Sequence, residues 1–308
     1  MEVGKKYTFS PIKGSVMEPL KRGMALVLEG GGLRGYYTAG VFEAFLERDL
    51  MFPYIAAVSA GSGNALSYIS GQKMRAKQII ENYVCDRRYL SKGNLIRHGS
   101  MFDFDFIYNT IPKNHIMFDW DCFSRQQVRF LTGALNCRTG RTEWFEKEDM
   151  DRGFGAAVAS CSVPVISKIA RFKGMELLDG GISDPIPIEK SLKDGNLFHV
   201  IVLTRNTGYR KKPFRYGGLL RAYYRKYPAV VQAVMRRHET YNRQLDLCEK
   251  LESEGKALII RPQAPLKVGR TTADKKTLLE LYDEGIAEAR PFVDKILAAA
   301  REIGGLRP

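Results

Sequence analysis

Three short stretches of this 308-residue chain hold residue types suited to nucleophilic chemistry: Gly30-Gly31-Gly32-Leu33-Arg34-Gly35, Ala57-Val58-Ser59-Ala60-Gly61 and Asp179-Gly180-Gly181. The glycine run follows the apolar residues 24–28 and precedes a helical pattern. Backbone N–H groups at such a turn point outward at a helix N-terminus and can hold an anion. Ser59 ends a second apolar run and stands where G-x-S-x-G places its exposed serine, with Ala57 at the first glycine position and Gly61 at the last. The plainer role for Ser59 is to cap the next helix. Ser62 is the weaker nucleophile, because Gly61 and Gly63 put it inside the helix start. A serine hydroxyl needs a base, and Asp179 ends a third apolar run. The plainer role for Asp179 is the first position of a β-turn.

A bound phosphate is the other anion to weigh. Gly30, Gly32 and Gly35 fit the dinucleotide pattern G-x-G-x-x-G. That pattern also needs an acid at the end of the second strand to bind the ribose. Here the second apolar run ends in Ser59-Ala60-Gly61, and Asp49 lies before it. The dinucleotide reading fails at this requirement, which leaves an oxyanion formed during ester hydrolysis.

Apolar periodicity predicts the elements that must position these residues. Strands are expected at 24–29, 54–58, 175–179, 197–204 and 256–261. Helices are expected at 36–48, 62–70, 74–84, 124–133, 154–160, 219–226, 228–251 and 273–301. Alternation of strand and helix implies an α/β fold: a mainly parallel sheet flanked by helices on both faces. The glycine loop, Ser59 and Asp179 then all lie at strand C-terminal ends, where open α/β sheets bind ligands.

Together the three stretches resemble the patatin-like phospholipases, and Ala159-Ser160-Cys161-Ser162-Val163-Pro164 resembles the small-residue and proline segment before the family's Asp motif. The likeness spans about residues 20–205; Ala57 is its one departure, in place of glycine. It implies a patatin-like fold with helical additions and a serine acyl hydrolase of lipid-like esters, of phospholipase A or lysophospholipase type. It implies Ser59 as nucleophile, Asp179 as base without histidine, and an oxyanion hole at Gly30, Gly31, Gly32, Leu33, Arg34 and Gly35. Within that hole the N–H groups of Gly31, Gly32 and Leu33 are the expected donors. Arg34 either orients the loop by bonding a carbonyl or is solvated. Gly180 and Gly181 complete the Asp motif. No cofactor is expected. A non-catalytic lipid- or anion-binding protein with a degraded site is the alternative, with Ala57 as the first sign of decay.

A Ser-His-Asp triad is the second alternative, drawing on Ser59, Asp179 or Asp184, and His199 or His238. His199 lies within an apolar strand and His238 in a basic helical stretch; His98 and His115 precede the Asp and break the chain order. No Cys or His pairs have zinc-ligand spacing, so no metal is expected. The five scattered cysteines suit a reducing compartment. The N-terminal residues lack the apolar region of a signal peptide, and no apolar run reaches the length of a membrane span. Residues 1–20 read as an irregular arm.

The formal net charge is +14. Much of it falls between Arg205 and Arg243, interleaved with Tyr209, Phe214, Tyr216, Tyr223, Tyr224, Tyr227 and Tyr241. Such a surface suits anionic lipid headgroups, or is a solvated helix face; no motif supports nucleic acid. The expectation is a cytoplasmic protein with a lipid or ester substrate and peripheral attachment to anionic membrane, its oligomeric state open. The chain reads as one domain: a catalytic core over about 20–205, a basic helical segment over 206–250, and a C-terminal strand and helix over 256–302. The aromatic-rich segment 85–150 reads as an acyl-pocket lining, a cap, or ordinary core.

Overall fold

The computed structural model describes residues 12–305. Residues 1–11 of the expected arm lie outside the described residues; 12–20 form no helix, and Pro19 bridges to Met51.

Eight strands form one sheet. They are β1 (Met24–Leu28), β2 (Tyr54–Val58), β3 (Arg129–Asn136), β4 (Thr142–Phe145), β5 (Ala170–Phe172), β6 (Met175–Asp179), β7 (Phe198–Val202) and β8 (Ala257–Ile260). The order is β5-β6-β3-β2-β1-β7-β8, with β4 also on β3. The pairs among β3, β2, β1, β7 and β8 are parallel. Those joining β3 to β4, β3 to β6 and β5 to β6 are antiparallel.

The helices are α1 (Tyr36–Glu47), α2 (Ala60–Ile69), α3 (Arg75–Asn82), α4 (Lys92–His98), α5 (Trp120–Arg125), α6 (Gly155–Cys161), α7 (Ile188–Lys193), α8 (Gly217–Tyr223), α9 (Pro228–Ser253) and α10 (Lys275–Gly305). They cover both faces, and alternation along β1 explains why. Leu26 and Leu28 join a core with Phe45, Tyr282 and Ile296 of α1 and α10. Val27 points the other way, into a core with Tyr241, Leu245 and Cys248 of α9. Strands buried on both faces read as continuous apolar runs. α1 and α10 pack closely, since a Cβ on Gly40 would lie 2.0 Å from the Tyr282 carbonyl oxygen.

One expected helix is corrected. Residues 124–133 do not form it: α5 ends at Arg125 and β3 begins at Arg129. Phe130 and Ala134 face the α1 and α10 side, while Leu135 faces α9. This period of two is masked in sequence because both faces are apolar, and a short buried strand then resembles a helix segment. β6 also differs from a parallel arrangement. β3 runs beyond β2, whose Val58 is level with Gly133, and β6 returns along that overhang with Asp179 opposite Ala134. Asp179 therefore reaches the same sheet edge as Ser59 from the opposite direction.

Candidate active site

The glycine loop leaves β1, Ser59 leaves β2 and Asp179 leaves β6, all at one edge of the sheet. Ser59 has φ 55° and ψ −132° and makes no side-chain cap bond to α2, which removes the capping role. A non-glycine residue in this region is strained. The hydroxyl is turned instead to Asp179: Ser59 Oγ donates to Oδ2 at 2.6 Å. Both residues are buried, at 5% and 4% exposure. Gly61 permits the elbow, since a Cβ there would lie 2.9 Å from the Glu29 carbonyl oxygen. Ala57 is fully buried in β2, paired with Leu28 and Thr132, so its methyl is accommodated in the strand.

Burial raises the Asp179 pKa above the ordinary aspartate value; the Ser59 hydrogen bond and the charges of Arg237 and Arg270 pull it down. Its Oδ1 accepts from the Gly181 N–H at 2.7 Å. The Asp179-Gly180-Gly181 turn is anchored from α9, where Arg237 Nε donates to the Gly181 carbonyl oxygen at 2.5 Å. Arg237 is thus drawn out of the basic stretch that sequence alone could read as a solvated helix face.

The Ala159–Pro164 stretch ties the two motifs together. The Ser59 N–H donates to Ser160 Oγ at 2.7 Å, and Ser160 Oγ donates to the Gly133 carbonyl oxygen at 2.6 Å. The Asp179 N–H donates to the Ser162 carbonyl oxygen at 2.8 Å. Sequence alone gives Ser160 no role. Glu29 and Thr204 were missed. Glu29 Oε2 accepts from the Thr204 N–H at 2.7 Å, and Thr204 Oγ1 donates to the Gly30 carbonyl oxygen at 3.1 Å. They hold the glycine loop to the end of β7.

Two expectations for that loop change. The Leu33 N–H already donates to the Arg270 carbonyl oxygen at 3.0 Å, so it is not free for an oxyanion. Gly31 and Gly32 have no such acceptor among the described residues. Arg34 is not solvated: it is 4% exposed, and its Nε has no partner among the described residues. Among the described residues it makes no bond to a carbonyl either. Burial, with the charges of Arg205 and Arg270, lowers its pKa to about 10 while Glu29 opposes this. Lys211 is lowered by burial and by the charges of Arg237 and Arg270. Arg34, Arg237, Arg270 and Lys211 make a cationic wall whose fields are opposed by the carboxylates Glu29 and Asp179.

Among the described residues no histidine hydrogen-bonds Ser59 or Asp179. His199 is level with Ala25, and Ala25 with Tyr54, so along the strand direction it is offset from Ser59 by about 17 Å at a rise of about 3.3 Å per residue. It contacts Ser191 Oγ at 3.1 Å, and burial lowers its pKa to about 4. His238 Nδ1 meets the Met235 carbonyl oxygen. Asp184 accepts from Gln244 at 2.6 Å, with its pKa raised by burial to about 6.

A cavity of about 130 Å³ opens beside Ser59 and runs under the aromatic segment, where Phe102, Phe104, Tyr108 and Phe118 line it.

A family model described as patatin-like phospholipase matches residues 26–191, over half of the chain. This chain belongs to the patatin-like phospholipase family. Membership supports a lipid acyl hydrolase in general terms. A second model, a domain of unknown function (DUF6363), matches residues 227–300, the part of this patatin-like chain that supplies α9 and α10. The uncharacterized protein YjjU of Escherichia coli (strain K12) is 26% identical over 203 residues, covering 61% of this chain and 54% of that protein. The chain thus spans about half the length of that curated relative. Among solved structures, VipD from Legionella pneumophila aligns with a TM-score of 0.46 at 14% identity, over 88% of this chain and 67% of VipD. ExoU of Pseudomonas aeruginosa, solved in complex with SpcU, aligns with a TM-score of 0.37 at 14% identity, over 92% of this chain and 53% of that chain. Among the described residues, no helix is long and apolar enough to cross a membrane.

Proposed function

We propose that this protein is a serine acyl hydrolase of lipid-like esters, of phospholipase A or lysophospholipase type, with Ser59 as nucleophile and Asp179 as base. The observation that carries the reading is the 2.6 Å bond from a strained Ser59 hydroxyl to a buried carboxylate. As Oγ attacks the ester carbonyl carbon, its proton passes to Asp179 and the carbonyl π pair moves to oxygen. The oxyanion meets the N–H groups of Gly31 and Gly32. Collapse expels the alcohol, which takes the proton from Asp179. Water then repeats the sequence on the acyl-enzyme. A base works best when its pKa lies near the working pH, and burial moves Asp179 in that direction.

The surroundings favour a lipid. The mostly apolar lining of the cavity beside Ser59 suits an acyl chain. The cationic wall of Arg34, Arg237, Arg270 and Lys211 suits an anionic leaving group such as a phosphate-bearing headgroup. Exposed Tyr216, Leu219 and Tyr223 on and beside α8, next to Arg221, Arg225 and Lys226, support peripheral contact with anionic membrane. The catalytic core is assigned to about residues 20–205, with the basic segment and the C-terminal strand and helix completing one domain.

The test is hydrolysis of p-nitrophenyl butyrate. Ser59→Ala and Asp179→Asn should each lower kcat by about 10⁴-fold or more. A fluorophosphonate should add its mass to the peptide holding Ser59. Full activity in Ser59→Ala sinks the assignment, and an unlabelled Ser59 in an inactive protein favours the non-catalytic alternative.

A further inference from the structure

The cavity beside Ser59 is not apolar throughout. Ala60, Gly63, Asn64 and Ser67 line it at helical spacing along α2. Ser67 lies eight residues beyond Ser59, or about 12 Å at 1.5 Å per residue. There the cavity meets Arg75, which is 7% exposed. Its Nη1 donates to Ser67 Oγ at 2.9 Å and its Nη2 to the Ile116 carbonyl oxygen at 3.3 Å. Its Nε has no hydrogen-bond partner and no carboxylate pairs with it among the described residues; the guanidinium carbon lies 5.4 Å from the centroid of the Phe118 ring, a contact that leaves the in-plane N–H donors unused. The ionisable groups whose fields reach it are the tyrosines Tyr89, Tyr36 and Tyr108. Arg75 also opens α3, where the helix dipole disfavours a cation.

A buried guanidinium is normally paired, because an uncompensated buried charge is strongly unfavourable. Packing alone at this position would be met by an apolar side chain. A plain hydrocarbon tail would leave the charge unanswered, whereas a carboxylate would take its free donors. An extended chain advances about 3.5 Å per three bonds, so about 12 Å corresponds to about ten bonds.

Resting on the hydrolase reading above, we propose that the cavity takes acyl chains of medium length whose far end carries a carboxylate, and that Arg75 is the specificity residue that binds it. The substrates are then half-esters of dicarboxylic acids, with Ser59 attacking the esterified end.

The experiment compares the mono-p-nitrophenyl ester of decanedioic acid with p-nitrophenyl decanoate, taking the ratio of kcat/KM as the readout. The wild type should favour the half-ester by about tenfold or more, the scale of a hydrogen bond to a charged group. In Arg75→Met the ratio should fall to about one or below, and Arg75→Lys should restore part of it. A wild-type preference for the plain ester overturns the proposal, as does a ratio unchanged in Arg75→Met. If Arg75→Met does not fold, the wild-type ratio and the Arg75→Lys ratio still decide. p-Nitrophenyl butyrate is too short to reach Arg75: no turnover of it by the wild type indicts the hydrolase reading, while normal turnover with the wrong ratio indicts only the carboxylate site.

Discussion

The Ser160 hydroxyl accepts from the Ser59 backbone N–H at 2.7 Å while donating to the Gly133 carbonyl at 2.6 Å. One side chain on α6 thereby pins a strained serine to the central strand β3. Strained backbone persists only where its surroundings over-determine it.

Ser160→Ala leaves a buried donor and a buried acceptor unpaired. The expected loss is about 1–3 kcal/mol of stability, the cost of an unsatisfied buried group. Esterase activity should fall as well, chiefly through kcat, because the elbow loses its brace. Thermal unfolding and steady-state kinetics check both; unchanged values in each would remove Ser160 from the site.

The pH profile follows from Asp179. As the proposed base it must be ionised, so kcat/KM should rise with pH through a value above the ordinary aspartate pKa of about 3.9. The Arg237 charge lowers that pKa, so Arg237→Gln should move the acid limb to higher pH. A shift to lower pH contradicts this arrangement.

Stability takes the opposite sign. The folded-state pKa of Asp179 is raised, so its contribution is present below the unfolded pKa and lost as pH rises through the folded pKa. Asp179→Asn should therefore abolish activity yet unfold no more readily than wild type at pH 7, with its relative advantage growing as pH rises between those two values. Melting curves from about pH 4, next to the ordinary value of about 3.9, upward to about pH 8 test it.

Gly32 has φ +59°, and a Cβ there would lie 2.6 Å from the Arg270 carbonyl oxygen. Gly32→Ala must shift the loop that presents the Gly31 and Gly32 N–H groups. A loss of about 10²–10³-fold in kcat is expected, the scale of removing one oxyanion donor. Near-normal kcat would place the oxyanion elsewhere.

Membrane contact is tested by flotation with vesicles. Wild type should bind vesicles containing anionic lipid more than neutral ones, and Leu219→Asp with Arg221→Glu should weaken that binding. Binding indifferent to lipid charge counts against the basic segment as a docking face.

Much of this was legible in the sequence because it is local. Glycine is needed where backbone approaches backbone, a serine after a buried strand and before a helix marks an elbow, and apolar runs mark β1, β2, β6 and β7. The helices α9 and α10 were visible from their length and periodicity. β3 was not, because a strand apolar on both faces has no visible period. The partners that complete the site were not visible either. Ser160, Thr204, Arg237 and Arg270 are ordinary residues along the chain; they matter because β6 reverses onto the overhang of β3 and because α9 crosses the Asp179 turn. Sequence alone determined which residue types stand at the strand ends, and so which side chains the proposed chemistry draws on. Only the tertiary structure decided which N–H groups stay free, which arginines lose water, and which cations are left without a paired carboxylate, since each depends on contacts between segments distant along the chain.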